Sequence, residues 1–287
     1  NPTVRAMGSC FAVEIRNALR RRGYDVIPDY FNIELNSSRQ SVGKLPDRDN
    51  INHYDTFVIR QEIERAAAHG RYRVEDFWEL SGHPRAKKLN VSHVWQEPYR
   101  RDIFAASAGE CKKISDAVSE KIDQGFAKSN VIIITLGLIE VWKNIFNNLY
   151  VCQGPKSPED PVWGLTRPVI SDFEANKENL LSIVDTIQDY DKNKKVVLTV
   201  SPVALGSTIS GNDVVVANML SKSTLRAAAG EVVRERDNVE YWPSFEFAMM
   251  EDRFEEDGRH VSYDAVQDIV DAFVDANTGG TFKDAGR

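Results

Sequence analysis

Cysteine is scarce in this chain: Cys10, Cys111 and Cys152 are the three that its 287 residues hold. They are too few and too dispersed for a disulfide framework or a cysteine-based zinc site, and they read as the reduced thiols of a cytoplasmic protein. No apolar run approaches the roughly 20 residues that a membrane-spanning helix needs, and no signal-peptide pattern is expected at the start. Positive charge is also short. The 36 Lys and Arg against 43 Asp and Glu give a net charge of −7, which opposes nonspecific attraction to nucleic acid phosphates. The densest basic cluster, Arg20, Arg21 and Arg22, closes a helical stretch, where cations complement the C-terminal dipole. His53, His69, His83 and His93 form no H-E-x-x-H or comparable cluster, so no metal and no cofactor is implied. "GSTISG" at 206–211 has the spacing of a phosphate-binding loop, but Asn212 and Asp213 stand where Lys and Ser or Thr are required, which argues against nucleotide hydrolysis.

What is present is an ordinary globular composition, 42% hydrophobic and 28% charged, in a chain long enough for one large domain with a sizeable core. Residues 4–7 read as a short buried strand, and Phe11, Ile15, Ala18 and Leu19 then recur at helical spacing until Gly23. Residues 24–27 read as a second strand, followed by a loop rich in Asn, Ser and Pro that runs to about residue 52. A helix at 57–69 and an aromatic-rich stretch make 53–105 an expected insertion or lid. A helix over 107–127 leads into "VIIITLG", whose β-branched run at 131–134 predicts a central strand buried on both faces. The alternation then continues: helix at 173–187, strand "KVVLTVSP", helix at 213–236, strand "VEYWPS" and a last helix at 265–276. Strands alternating with helices predict a single α/β domain over 1–287, a three-layer α/β/α sandwich around a central parallel sheet.

In such sheets, sites form at the carboxyl ends of strands. The first strand ends in Gly8-Ser9-Cys10 and enters a helix at once, so backbone N–H groups of Ser9 and Cys10 at that helix start can face a developing oxyanion. Near the last helix, Asp257 and His260 lie three apart in "EEDGRHVSYD". A carboxylate there can hold the imidazole in the tautomer that leaves one nitrogen free as a base. Ser9, His260 and Asp257 would then form a triad. Cys10 is the nearest rival nucleophile, because a thiolate is also stabilised at a helix N-terminus. Adjacent side chains at a helix start diverge, so one of the two faces the base; we expect Ser9.

Five blocks, "GSCFA" at 8–12, "TLGLIEVW" at 135–142, "SPV" at 201, "SKSTLR" at 221 and "DGRHVS" at 257, occur in the order found in the GSCFA family, which the chain resembles over nearly its whole length. That family resembles the SGNH, or GDSL-like, hydrolases and acyl-transfer enzymes, whose fold is the flavodoxin-like sandwich. The resemblance implies Ser9 as nucleophile, His260 as base and Asp257 as its partner. It also implies an oxyanion Asn in a Gly-x-Asn block, whereas here Gly137 is followed by Leu138, Ile139 and Glu140. The expected oxyanion hole is therefore Ser9, Cys10 and Gly137, with Asn36 supplying the missing donor.

Glu140, Trp142, Lys222 and Arg226 are the expected substrate-binding residues, with Glu140 either structural or a ligand of a substrate hydroxyl; Lys222 and Arg226, four apart, share a helical face that either binds an anionic sugar or carboxylate or is solvated. Trp78, Trp95, Tyr99 and Trp142 either stack on sugar rings or pack in the core. The resemblance implies a hydrolase of O-acyl, mostly acetyl, esters on a carbohydrate or polysaccharide. An acyltransferase using the same residues and a non-catalytic carbohydrate-binding protein on the same fold stay open, and the expected partner is an acylated carbohydrate or other small ester.

Overall fold

A computed structural model describes residues 2–28, 51–251 and 253–278. Strand β1 (Thr3–Gly8) turns through two residues into α1 (Phe11–Arg21), and the chain returns as β2 (Asp25–Val26). Helix α2 (Thr56–Ala67) starts where the buried Asp55 side chain accepts the N–H groups of Phe57 and Val58. Then come β3 (Trp78–Ser81), α3 (Pro84–Leu89), β4 (His93–Gln96) and β5 (Phe104–Ala105). Ser107 caps α4 (Ala108–Lys128), which delivers the chain to β6 (Val131–Leu136). Strands β7 (Glu140–Asn144), β8 (Tyr150–Val151) and β9 (Thr166–Ile170) follow. Asp172 caps α5 (Phe173–Tyr190), β10 (Lys195–Val200) succeeds it, and Asp213 caps α6 (Val214–Glu235). The described chain ends with β11 (Val239–Tyr241), α7 (Ser244–Glu251) and α8 (Tyr263–Thr278).

Five strands form one parallel sheet in the order β11-β10-β6-β1-β2. Because strand residues alternate in direction, each strand feeds two cores. Val4, Ala6, Ile133 and Val197 pack against α1 and α8, while Met7, Ile132, Ile134 and Leu198 pack against α2, α4, α5 and α6. The three-layer sandwich expected from the alternation is thus the architecture found. The chain leaves β1 for the β2 edge and later fills the other side through β6, so the strand order reverses between β1 and β6. Their carboxyl ends open the crevice where doubly wound sheets bind ligands.

The stretch 53–105 divides in two. Helix α2 lies within the helical layer, its Ile59 and Ile63 fully buried in the larger core. Residues 78–105 carry a separate three-stranded antiparallel sheet, β3-β4-β5. This unit is fixed by buried ions: Arg100, 1% exposed, donates to both oxygens of Glu62 at 2.7 and 3.1 Å and to Glu97 at 3.2 Å. Burial alone would raise the Glu62 pKa, but Arg100 and Arg65 beside it hold the carboxyl well below its ordinary value. Trp78 and Tyr99 are buried in this core rather than presented to a ligand.

A second antiparallel sheet, β8-β7-β9, was not foreseen in the sequence. Pro168 argues against a strand at 166–170, yet β9 is an edge strand, the one place a sheet tolerates a residue without an N–H.

Candidate active site

The turn after β1 is dictated by how closely β1 and β6 approach. Gly8 pairs with Thr135 across the ladder at a φ of +124°, and a Cβ on Gly8 would lie 2.1 Å from the Thr135 carbonyl oxygen. Only glycine fits there. The next residue extends the ladder by one step, the Ser9 N–H donating to Thr135 O at 3.0 Å. The hydroxyl has partners as well: Ser9 Oγ lies 3.3 Å from Thr135 Oγ1, which is itself 3.4 Å from Met7 O, and accepts the Phe11 N–H at 3.3 Å. Ser9 is 3% exposed.

Cys10 is the N-cap of α1 and is only partly buried. Its side chain makes no capping hydrogen bond to the helix. Burial pushes the thiol pKa up, while the charges of Lys222 and Arg259 pull it down. Among the described residues no carbonyl accepts the Cys10 N–H.

The end of β6 supplies the opposite wall. A Cβ on Gly137 would come within 3.4 Å of Ser9 Cβ and 2.6 Å of Tyr54 O. Tyr54 O accepts the N–H groups of both Gly137 and Leu138, at 3.0 and 3.1 Å, and the neighbouring His53 N–H donates to Gly8 O at 2.7 Å. The segment just before α2 thus stitches the ends of β1 and β6 together. Nothing local in the sequence marked His53 or Tyr54 for this role, because each acts through pairing with a distant strand end.

Two expected oxyanion donors are therefore corrected. The Ser9 N–H belongs to Thr135 O and the Gly137 N–H to Tyr54 O, both used up by the backbone ladder that shapes the crevice. The Cys10 N–H is left with the geometry of a donor at a helix start, and Asn36 lies outside the described residues.

Asp257 and His260 sit in a turn closed by the Phe254–Val261 bridge and by the Ser262 N–H on Arg253 O. Asp257 Oδ2 accepts from His260 Nδ1 at 2.5 Å, and its other oxygen accepts the N–H groups of Arg259 and His260, each at 2.9 Å. Those bonds, the His260 N–H first, hold the carboxyl well below its ordinary pKa and leave His260 Nε2 as the free ring nitrogen. The turn reaches the carboxyl end of the sheet through Arg259, whose guanidinium donates to Ala204 O at 3.1 and 3.3 Å in the loop after β10. Among the described residues no hydrogen bond joins His260 to Ser9 or Cys10.

The four expected substrate-binding residues each have partners within the protein. Lys222, 1% exposed, donates from Nζ to Gly137 O at 2.7 Å and Val203 O at 2.9 Å, tying the loops after β6 and β10. Burial pulls its pKa down to about 7, with Cys10 in opposition. Glu140 accepts the Thr208 hydroxyl and, at 2.7 Å, the Ile209 N–H, anchoring the 206–211 loop. The Trp142 indole is covered by Gly154, where a Cβ would fall 2.2 Å from Nε1. Arg226 lies 3.9 Å from the Tyr241 ring centroid and pairs with Glu246 at 2.7 Å, one helical turn beyond Lys222. Among the described residues no three His, Cys, Asp or Glu gather as a metal site, and no helix is long and apolar enough to cross a membrane.

A model of the GSCFA family matches residues 3–273. No curated protein matches the chain. Solved structures similar to it include an acetyl esterase mutant with acetate ion, at 10% identity and a TM-score of 0.44 over 97% of each chain. A family 3 carbohydrate esterase from Talaromyces cellulolyticus follows, at 11% identity and a TM-score of 0.42 over 100% of each. A family 3 carbohydrate esterase from Clostridium thermocellum is similar at 10% identity and a TM-score of 0.35, with 94% of this chain and 92% of that one covered.

Proposed function

We propose, from the premise that this chain belongs to the GSCFA family, that it cleaves O-acyl esters through an acyl-enzyme, with acetyl groups on a carbohydrate as the substrate class. The observation that carries the reading is the Asp257–His260 pair, whose turn docks on the loop after β10 at the same carboxyl end as the Ser9–Cys10 turn. A nucleophile from that turn attacks the acyl carbonyl, and His260 Nε2 takes its proton and passes it to the leaving hydroxyl. Asp257 steadies the imidazolium. The positive end of α1 and the Cys10 N–H favour the developing oxyanion. The carbohydrate part follows from the family resemblance alone.

The test is acetate release from p-nitrophenyl acetate and from an O-acetylated oligosaccharide. Wild type turns over both, and His260→Ala loses about 10²–10⁴-fold in kcat/KM, the usual worth of a positioned acid–base group. Release by His260→Ala at the wild-type rate, or none by folded wild type, sinks the proposal.

A further inference from the structure

The turn after β1 offers two nucleophilic side chains, and their surroundings separate them. The Ser9 hydroxyl lies 3.3 Å from Thr135 Oγ1, accepts the Phe11 N–H at 3.3 Å, and is closed off beneath the ends of β1 and β6. For Ser9 to attack an ester, its hydroxyl must first be uncovered. Cys10 is the partly exposed member of the pair. It is the N-cap residue of an eleven-residue helix. Arg259, beside His260, and Lys222 of α6 in its protonated form are the cations that bear on that sulfur. Its own N–H is the backbone donor that the strand ladder does not consume. Since neighbouring side chains diverge at a helix start, Ser9 turned into the sheet leaves Cys10 turned toward the crevice.

We infer that Cys10, not Ser9, is the catalytic residue that takes the acyl group, and that Ser9 is a positioning residue that fixes the turn. This rests on the ester-cleaving reading above. His260 Nε2 removes the thiol proton as the sulfur bonds to the acyl carbon, and the carbonyl electron pair moves onto oxygen, facing the Cys10 N–H. The tetrahedral adduct collapses to a thioester, the C–O bond to the alcohol breaks, and the alcohol takes the proton from His260. Water then attacks the thioester and gives its proton to His260. The C–S bond breaks, the sulfur recovers that proton, and the free acid leaves. The thiol is protonated at rest, since burial raises its pKa, so the attack needs the base that Asp257 and His260 provide.

The test uses full-length protein and p-nitrophenyl acetate. Reactions quenched in acid are mapped by peptide mass, with and without neutral hydroxylamine, which cleaves thioesters and spares oxygen esters. The expected result is an acetyl group on the Cys10 peptide that hydroxylamine removes. It is absent from Cys10→Ala and resistant to hydroxylamine in Cys10→Ser. Ser9→Ala still forms the labile adduct, at a rate lowered by no more than about tenfold. A second readout needs no variant to fold. Cys111 and Cys152 are buried, so iodoacetamide labels Cys10 first, and the fraction of activity lost equals the fraction of Cys10 labelled. An acetyl group on Ser9, or full turnover by protein fully alkylated at Cys10, overturns the assignment and leaves the ester-cleaving reading standing. Folded wild type that neither acquires an acetyl group nor releases acetate removes both.

Discussion

Replacing Lys222 by Met tests the account of how the crevice is held. The ammonium is 1% exposed and makes two hydrogen bonds to carbonyls, and no carboxylate is paired with it among the described residues. Burial therefore dominates, and its pKa falls from 10.5 to about 7 on folding. Between those values the unfolded chain binds a proton that the folded protein does not, so folding stability rises with pH there. Below pH 7 both states hold the proton and the cost of burying the charge is fully present. The rise approaches about 1.4 kcal/mol per pH unit for one proton and starts at half that slope at pH 7, which integrates to about 1.6 kcal/mol between pH 7.0 and 8.5. Lys222→Met loses this increment. At a single pH the comparison is indecisive, because the variant forfeits two charge-assisted hydrogen bonds, each worth about 1.5–3 kcal/mol, yet also escapes the desolvation of an ammonium. The slope decides. Urea unfolding at several pH values in this window gives wild type minus variant, in which thiols ionising in the unfolded chain cancel. The Cys10 thiol, raised above its ordinary 9.0, stays protonated in the folded protein throughout. Parallel stability curves, differing by a constant over the window, would refute the assignment of a desolvated Lys222.

Three further outcomes follow from contacts elsewhere. Gly8→Ala puts a methyl group on a backbone oxygen 2.1 Å away at a φ of +124°; it should cost about 3–5 kcal/mol in urea unfolding, and a loss under about 1 kcal/mol would mean that β1 and β6 do not approach so closely. Arg100→Met leaves the buried Glu97 without its cation and Glu62 with Arg65 alone, and should cost about 3–5 kcal/mol, a large drop in thermal midpoint that a triple apolar replacement of the three residues largely restores. Glu140→Ala releases Thr208 and Ile209 at a local cost of about 1–3 kcal/mol; limited proteolysis should then cut within 206–211 faster than in wild type, and equal cutting rates would show that Glu140 is not the anchor.

How legible each part was depends on the range of the interaction behind it. The central strands announce themselves because burial on both faces demands unbroken runs such as Val131–Leu136. The helices between them carry side-chain caps, Ser107, Asp172 and Asp213, and apolar spacing that read locally. Strand β7, "EVWKN", has no such signature. Its pairing with β9 spans an intervening excursion through β8, and the partner contains a proline, so neither half declares the sheet alone. Helix α2 was legible as a helix but not as a member of the main layer, because its buried Glu62 and Arg65 look like a solvated face until Arg100 is brought to Glu62 from 38 residues away.

The site divides along the same line. Asp257 and His260 are three apart, so their hydrogen bond is encoded in one turn and was readable as a pair. The choice between Ser9 and Cys10 is encoded elsewhere. In the reading proposed above it turns on Thr135, whose hydroxyl lies 3.3 Å from Ser9 Oγ, and on Tyr54, whose carbonyl accepts the Gly137 N–H and leaves the crevice with the Cys10 N–H. Lys222 closes the arrangement by tying Gly137 O to Val203 O, so the carbonyl and the N–H of Gly137 both serve the scaffold. A floor whose backbone groups are this fully paired holds one open donor and one partly exposed thiol in place before substrate arrives. Such preorganisation is what stabilising a developing oxyanion requires. His260, by contrast, sits on a turn joined to the loop after β10 through Arg259 on a single carbonyl, Ala204 O. Catalytic hydrogen bonds in unliganded enzymes often tighten only around substrate, and on the proposed reading this turn is the element whose approach would complete the bond that His260 lacks to the nucleophile.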